Sequence, residues 1–136
     1  MARSTKSSRI AEANQVLLHV ATFGRRFFYS ARFDRTAFFE ITAGGRVRFV
    51  DDYTGRRIDP LREGRWANFS HGGTMKSFVA ALGRYIEKGE QMYPGHFGPW
   101  TLLYGDLWGY GLEEMEKVRS AIAESPCVQQ RREVLA

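Results

Sequence analysis

The stretch Thr36-Ala37-Phe38-Phe39-Glu40-Ile41-Thr42-Ala43-Gly44-Gly45-Arg46-Val47-Arg48-Phe49-Val50 reads as two antiparallel strands joined by a tight turn. Both arms are rich in Phe and β-branched residues and show a period of two, and polar or glycine residues bound them. Ala43-Gly44-Gly45 allows the positive φ that a tight hairpin requires. With those three residues as the loop, Thr42 faces Arg46 and Glu40 faces Arg48. Phe39, Ile41, Val47 and Phe49 then share the core face, while Arg46 and Arg48 point to the opposite one. An ion pair between Glu40 and Arg48 is expected across this hairpin, worth ~0.2–1 kcal/mol.

Outward from the hairpin, Arg26 to Arg32 also follows a period of two, so the three segments read as a meander. Asp51-Asp52-Tyr53-Thr54-Gly55 makes a second turn into a short edge strand at Arg56 to Ile58. From Arg9 to Phe23, Ile10, Ala13, Leu17, Val20 and Ala21 recur at helical spacing, with Ser8 as N-cap and Gly24 as C′ residue. The run Val16-Leu17-Leu18 leaves a strand as the alternative there. Residues 60 to 73 hold Pro60, Gly64, Gly72 and Gly73 and read as a loop. A second helix runs from about Thr74 to Lys88 on an apolar face of Met75, Phe78, Val79, Leu82, Tyr85 and Ile86, with Gly89 as its stop. A Gly- and Pro-rich aromatic loop covers Tyr93 to Gly111. The last helix spans about Leu112 to Glu124, with Leu112, Met115, Val118 and Ile122 on one face. Glu113 and Glu114 suit its first turn, and Pro126 lies just beyond it.

The order α-βββ-α-α predicts an α+β domain: a three- to four-stranded antiparallel meander covered on one face by about three helices. Residues 1–8 are expected to form a mobile basic tail, 9–125 a single domain, and 126–136 a mobile C-terminal tail. A chain of 136 residues with 43% hydrophobic and 14% aromatic residues supports one core and excludes wholesale disorder. No segment approaches the ~20 apolar residues of a membrane span, and no apolar signal core follows Met1 to Arg9, so a soluble cytoplasmic protein is expected. The one cysteine, Cys127, excludes an internal disulfide and a Cys-based zinc site, and reads as a partly buried or incidental thiol.

Lys and Arg number 20 against 15 Asp and Glu, a net charge of +5. That balance favours nucleic acid or another acidic partner and argues against an acidic DNA mimic. The first candidate surface is a row of arginines: Arg46 and Arg48 on the wet sheet face, with Arg25, Arg26, Arg32, Arg35, Arg56 and Arg57 on neighbouring strands or turns. Beside Phe28, Phe38 or Tyr53 these offer phosphate contacts and a stacking surface. Arg46, opposite uncharged Thr42, and Arg56 and Arg57 stand above Arg48, which has Glu40 to pair with.

A second candidate is Phe69-Ser70-His71-Gly72-Gly73-Thr74 ahead of Lys76, an anion-binding turn at a helix N-terminus. The bland alternative is a tight turn with Thr74 as N-cap. The Walker spacing is absent, and so is Gly-x-Ser-x-Gly, which removes an esterase reading. The third candidate is Gly105-Asp106-Leu107-Trp108-Gly109-Tyr110-Gly111, where Trp108 suits a core anchor and Tyr110 is open to a binding role. His19, His71 and His96 lack metal spacing, and Asp51-Asp52 before a glycine is ordinary turn chemistry. No metal or cofactor is therefore expected. Two alternatives stand beside a binder: a small enzyme with a pocket between the His71 and Trp108 loops, and a homo-oligomeric structural module.

Four motifs taken together, Gly24-Arg25-Arg26-Phe27-Phe28-Tyr29-Ser30, Asp51 to Gly55, Phe69 to Thr74 and Gly105 to Gly111, resemble a family of small uncharacterised proteins encoded on bacterial plasmids and integrative elements. The resemblance covers most of residues 13 to 122. It implies a mobile-element setting, where small accessory proteins act as anti-restriction or anti-CRISPR inhibitors or in DNA maintenance and transfer. It carries over no site residues. The expectation is a non-catalytic binder of nucleic acid or of a host nucleoprotein, with an anti-defence role.

Overall fold

The computed structural model describes residues 5–22, 27–71, 73–92, 112–123 and 125–128. Its first element, α1 (Lys6–Thr22), begins a turn earlier than the expected Ser8 cap. Ser8 N donates to Thr5 Oγ1 at 3.1 Å and Thr5 N donates to Ser8 Oγ at 3.0 Å, so Thr5 is the N-cap and the pair closes a reciprocal capping box. Lys6 to Ser8, expected in the N-terminal tail, are helical. Ala13, Val16, Leu17, Val20 and Ala21 are buried while Leu18 is exposed, a period of 3.6 that settles the helix over the strand.

The strands are β1 (Tyr29–Ser30), β2 (Arg35–Thr36), β3 (Phe38–Ile41), β4 (Val47–Val50) and β5 (Arg57–Ile58). They form two antiparallel sheets, β1-β2 and β3-β4-β5, in place of one continuous meander. The expected strand Thr36–Thr42 changes partner at Ala37, whose N–H donates to Phe28 O at 2.7 Å. Phe28 has a left-handed backbone, φ 68°, and its ring is fully buried against Phe49, Phe78 and His71. Seating that ring in the core turns the first hairpin out of the main sheet. Phe28 is therefore not part of a wet stacking face.

The main hairpin has the expected register: Glu40 lies opposite Arg48, Ile41 opposite Val47, and Thr42 N donates to Arg46 O at 2.9 Å. Gly45 takes the positive φ, 80°, that the three-residue loop needs. Phe39, Val47 and Phe49 face the core, with Ile58 of β5 beside Phe49. Ile41, expected with them, is 37% exposed, being the last residue of β3 before the turn.

Two further helices follow the strands, α2 (Gly73–Lys88) and α3 (Leu112–Ile122). The helix α1 lies over β3, α2 packs on β4, and α3 packs on α1. All six apolar residues expected on α2 are buried, as are Val118 and Ile122 of α3. Each fully buried Phe or Leu contributes roughly 1.5–3 kcal/mol through removal of apolar surface from water. Arg9 Nε donates to Ile86 O at 2.9 Å, satisfying a carbonyl in the last turn of α2.

The ordered chain runs past the expected boundary at 125. Cys127 and Val128 are buried, and Met92 N donates to Cys127 O at 2.7 Å. A four-residue stretch is too short to show a period, so this packing was invisible in the sequence. No described helix is long and apolar enough to cross a membrane.

Candidate functional site

The turn after β4 is organised by one carboxylate. Asp51 Oδ2 accepts from Tyr53 N at 3.1 Å and Thr54 N at 2.8 Å, and Oδ1 accepts from Ser70 N at 3.0 Å and Ser70 Oγ at 2.9 Å. Thr54 Oγ1 lies 3.1 Å from Asp51 Oδ2 and 2.8 Å from Asn68 O, and its single proton serves one of them. Asp51 thereby ties the 51–55 turn to the 68–71 segment. Gly55 ends the turn at φ 68°, and a Cβ there would lie 2.2 Å from Arg35 Nη1.

Asp52, next along, is 3% exposed and faces His71, with Oδ1 2.6 Å from His71 Nε2. The imidazole packs among Phe27, Phe28 and Phe69, its centroid 5.9, 4.8 and 5.5 Å from theirs. Donor atoms of Asp51, Asp52 and His71 lie within 4.8 Å of one another. Both Asp51 oxygens already accept from turn donors, however, and Asp52 Oδ1 is held by His71. The triad works as a clamp between two loops.

An open cleft of about 530 Å³ lies beside this clamp, bordered by Tyr29, Tyr53, Asn68 and His71 among others. Its hydroxyls already have protein partners. Tyr29 donates to Asp34 Oδ1 at 2.7 Å, Ser30 Oγ accepts from Phe33 N at 3.4 Å, Arg32 Nη1 donates to Tyr53 at 3.3 Å, and Ser70 is held by Asp51. Among the described residues, three non-glycines have a left-handed backbone: Asn68 lines the cleft, Phe28 precedes its Tyr29, and Asp34 accepts from the Tyr29 hydroxyl. Such conformations cost ~1–3 kcal/mol each and gather where a surface is pre-shaped.

At the mouth of the cleft, Phe33 and Tyr53 are 47% and 48% exposed, with ring centroids 5.5 Å apart and edge to face. The guanidinium carbons of Arg32 and Arg35 lie 5.3 and 5.2 Å from the Phe33 centroid. Arg35 is anchored: Nε donates to Asp52 O at 2.9 Å and Nη2 to Tyr53 O at 3.4 Å. Arg32 is exposed, lies over the Phe33 ring and donates to the Tyr53 hydroxyl.

The arginine row expected from the sequence is divided by these interactions. Arg48 lies opposite Glu40 but does not pair with it. Glu40 bonds Arg57 of the next strand, and Arg48 Nη1 sits 3.9 Å from Asp59 Oδ1 and donates to Val47 O at 2.8 Å. Register sets which Cα atoms face each other, while a long side chain reaches diagonally to whichever partner is better placed. Arg57, expected to be available, is thus engaged, and Arg46 and Arg56 stay exposed. Tyr53 joins the platform with Arg32 and Arg35. Phe33 is absent from the surface expected from the sequence, although a large apolar ring inside an Arg-Phe-Asp turn is the trace it leaves there.

In the expected anion-binding turn, Gly73 opens α2, His71 bonds Asp52, and Lys76 sits 5.2 Å from the Trp66 centroid. Arg25, Arg26, Gly72, Trp108 and Tyr110, with the side chain of Thr74, lie outside the described residues. The pocket expected between the His71 and Trp108 loops has only its His71 side described.

The YoqU family model matches residues 4–131, nearly the whole sequence. The chain belongs to the YoqU family. It is 29% identical over 126 residues to the SPbeta prophage-derived uncharacterized protein YoqU of Bacillus subtilis (strain 168), an alignment that covers 91% of this chain and 85% of that one. A prophage is a mobile element, which agrees with the setting implied by the sequence motifs, while nothing points to plasmids in particular. No solved structure matches the chain. The YoqU match embraces the Asp51 turn, the His71 segment and the Phe33–Tyr53 platform alike.

Proposed function

We propose that this protein is a non-catalytic accessory protein of a mobile element that binds single-stranded nucleic acid at the Phe33–Tyr53 platform. Its role is anti-defence, of the anti-CRISPR or anti-restriction kind, exerted on nucleic acid or on the host nucleoprotein that carries it. The observation behind the reading is the pair of half-exposed rings with the Arg32 guanidinium beside them. Bases stack on such rings, and the cation meets the adjoining phosphate. The net charge of +5 supports an anionic partner, and the prophage origin of the relative supports the setting.

Base stacking contributes ~1–3 kcal/mol per base, so Phe33→Ala and Tyr53→Ala should each weaken binding about tenfold. Fluorescence anisotropy with labelled single-stranded DNA and RNA at low salt measures this. Absence of binding to both overturns the reading. For the anti-defence role, affinity capture from the host after nuclease treatment should recover a defence nucleoprotein, and should lose it with the Phe33→Ala variant.

A further inference from the structure

Away from the platform, the loop 60–66 crosses α2 and leaves a groove of about 420 Å³. The crossing is close because α2 carries Gly83 there. A Cβ at that position would lie 2.8 Å from Pro60 Cβ and 3.0 Å from its Cγ. One wall of the groove bears Lys76, Arg84 and Lys88 of α2, and the other bears Arg62, with Glu63 the sole acid among the lining residues. Lys76, Ala80, Arg84 and Lys88 succeed one another at intervals of four, so they line one stripe of the helix, ~18 Å long.

Charge pairing sets this groove apart from Arg48 and Arg57 of the sheet face, though not from Arg46 and Arg56. On the sheet, Arg48 and Arg57 have Asp59 and Glu40 as partners. Among the described residues, none of the four groove cations has a carboxylate within ion-pair distance. Cations gathered without counter-charge repel one another, and a polyanion relieves that repulsion. The stripe is also too long for one phosphate group, while Ala80 leaves its middle low enough for a chain of phosphates to approach the helix.

We infer that this groove is a track for the phosphate backbone of single-stranded nucleic acid, bound by Arg62, Lys76, Arg84 and Lys88. The inference rests on the nucleic-acid reading given above and adds to it where the backbone runs. The groove and the cleft are neighbours across the 66–71 segment: Trp66 lines the groove, Phe69 and His71 line the cleft, and these rings meet in series with centroids 5.3 and 5.5 Å apart. The cations follow one stripe of α2 and the loop facing it, an arrangement that meets one phosphate backbone. A duplex would need a broader face.

The test is the salt dependence of oligo-deoxythymidine binding by the wild type, an Arg84→Gln/Lys88→Gln variant and an Arg62→Gln variant. All three side chains are exposed, and thermal melting checks that each variant folds. Each phosphate that a variant no longer neutralises should lower the magnitude of the log K against log salt slope by about 0.7. Phe33→Ala should weaken binding with the slope unchanged. A groove variant that keeps the wild-type slope and affinity overturns the track, while dependence on Phe33 and Tyr53 would leave the platform standing. A wild type that binds no strand overturns both. A groove variant that loses duplex binding alone, with its single-strand binding intact, also overturns the track.

Discussion

Asn14 on α1 and Phe39 on β3 are joined by two reciprocal hydrogen bonds, Phe39 N to Asn14 Oδ1 at 2.6 Å and Asn14 Nδ2 to Phe39 O at 3.1 Å. The strand β3 is an edge of its sheet, so these backbone groups point away from β4. The Asn14 amide presents an N–H donor and a carbonyl acceptor side by side, and here it takes the place of a neighbouring strand. The helix thereby closes an edge that would otherwise invite pairing with another chain.

Asn14→Ala leaves both backbone groups of Phe39 without their partner in a half-buried site. The expected loss is about 2–3 kcal/mol, read from the midpoint of urea unfolding. Asn14→Asp keeps the acceptor for Phe39 N but sets a carboxylate oxygen against Phe39 O, so it should not restore wild-type stability.

Asp51 is buried and holds two loops together through backbone and hydroxyl donors. In Asp51→Asn one of the two oxygens becomes an NH₂ group facing N–H donors. Stability should drop by about 2–4 kcal/mol, because donors are left opposing a donor in a site closed to water. Hydrogen exchange should show faster exchange at Tyr53, Thr54 and Ser70 together; a change confined to Tyr53 and Thr54 would mean that Asp51 does not bridge to the second loop.

Gly83→Ala tests whether loop 60–66 rests on the helix. Helix propensity alone favours alanine by about 1 kcal/mol. The methyl group would meet the Pro60 ring, which has no flexible end to yield, and overpacking of that kind costs ~1–3 kcal/mol. The steric term exceeds the propensity gain, so a net loss near 1 kcal/mol is expected. A more stable variant would show that the loop lifts off freely.

Burial pushes the Cys127 thiol up to about 11 from its ordinary 9.0. Burial also carries the Tyr85 phenol above its ordinary range, and its hydrogen bond to Glu12 adds to the rise. The folded state therefore keeps protons that the unfolded chain releases first. Stability from Cys127 is intact below about pH 9 and declines toward about pH 11, by at most 2–3 kcal/mol. Tyr85 acts in the same direction from about pH 10. Cys127→Ala should flatten the first part of this decline in denaturation measured across alkaline pH.

Much of the fold was legible because its determinants are local. The burial of Val16 and Leu17 with Leu18 exposed, the apolar stripe of α2 and the three-residue loop at Gly45 all follow from periods of 3.6 and two and from glycine's access to positive φ. Those periods, together with the motifs that resemble a mobile-element family, determined the class, the order of elements and the hairpin register.

Partner choice belonged to the tertiary structure. Glu40 bonds Arg57, 17 positions away, and Asp52 bonds His71, 19 positions away. Neither pairing is encoded by spacing, because each depends on how an intervening turn brings two segments side by side. The same holds for Phe28, whose place in the core splits the strands into two sheets, and for the groove, which exists because Gly83 lets a loop lie on a helix. Periodicity states which face of an element is apolar; only packing states what that face, and the polar face behind it, will meet.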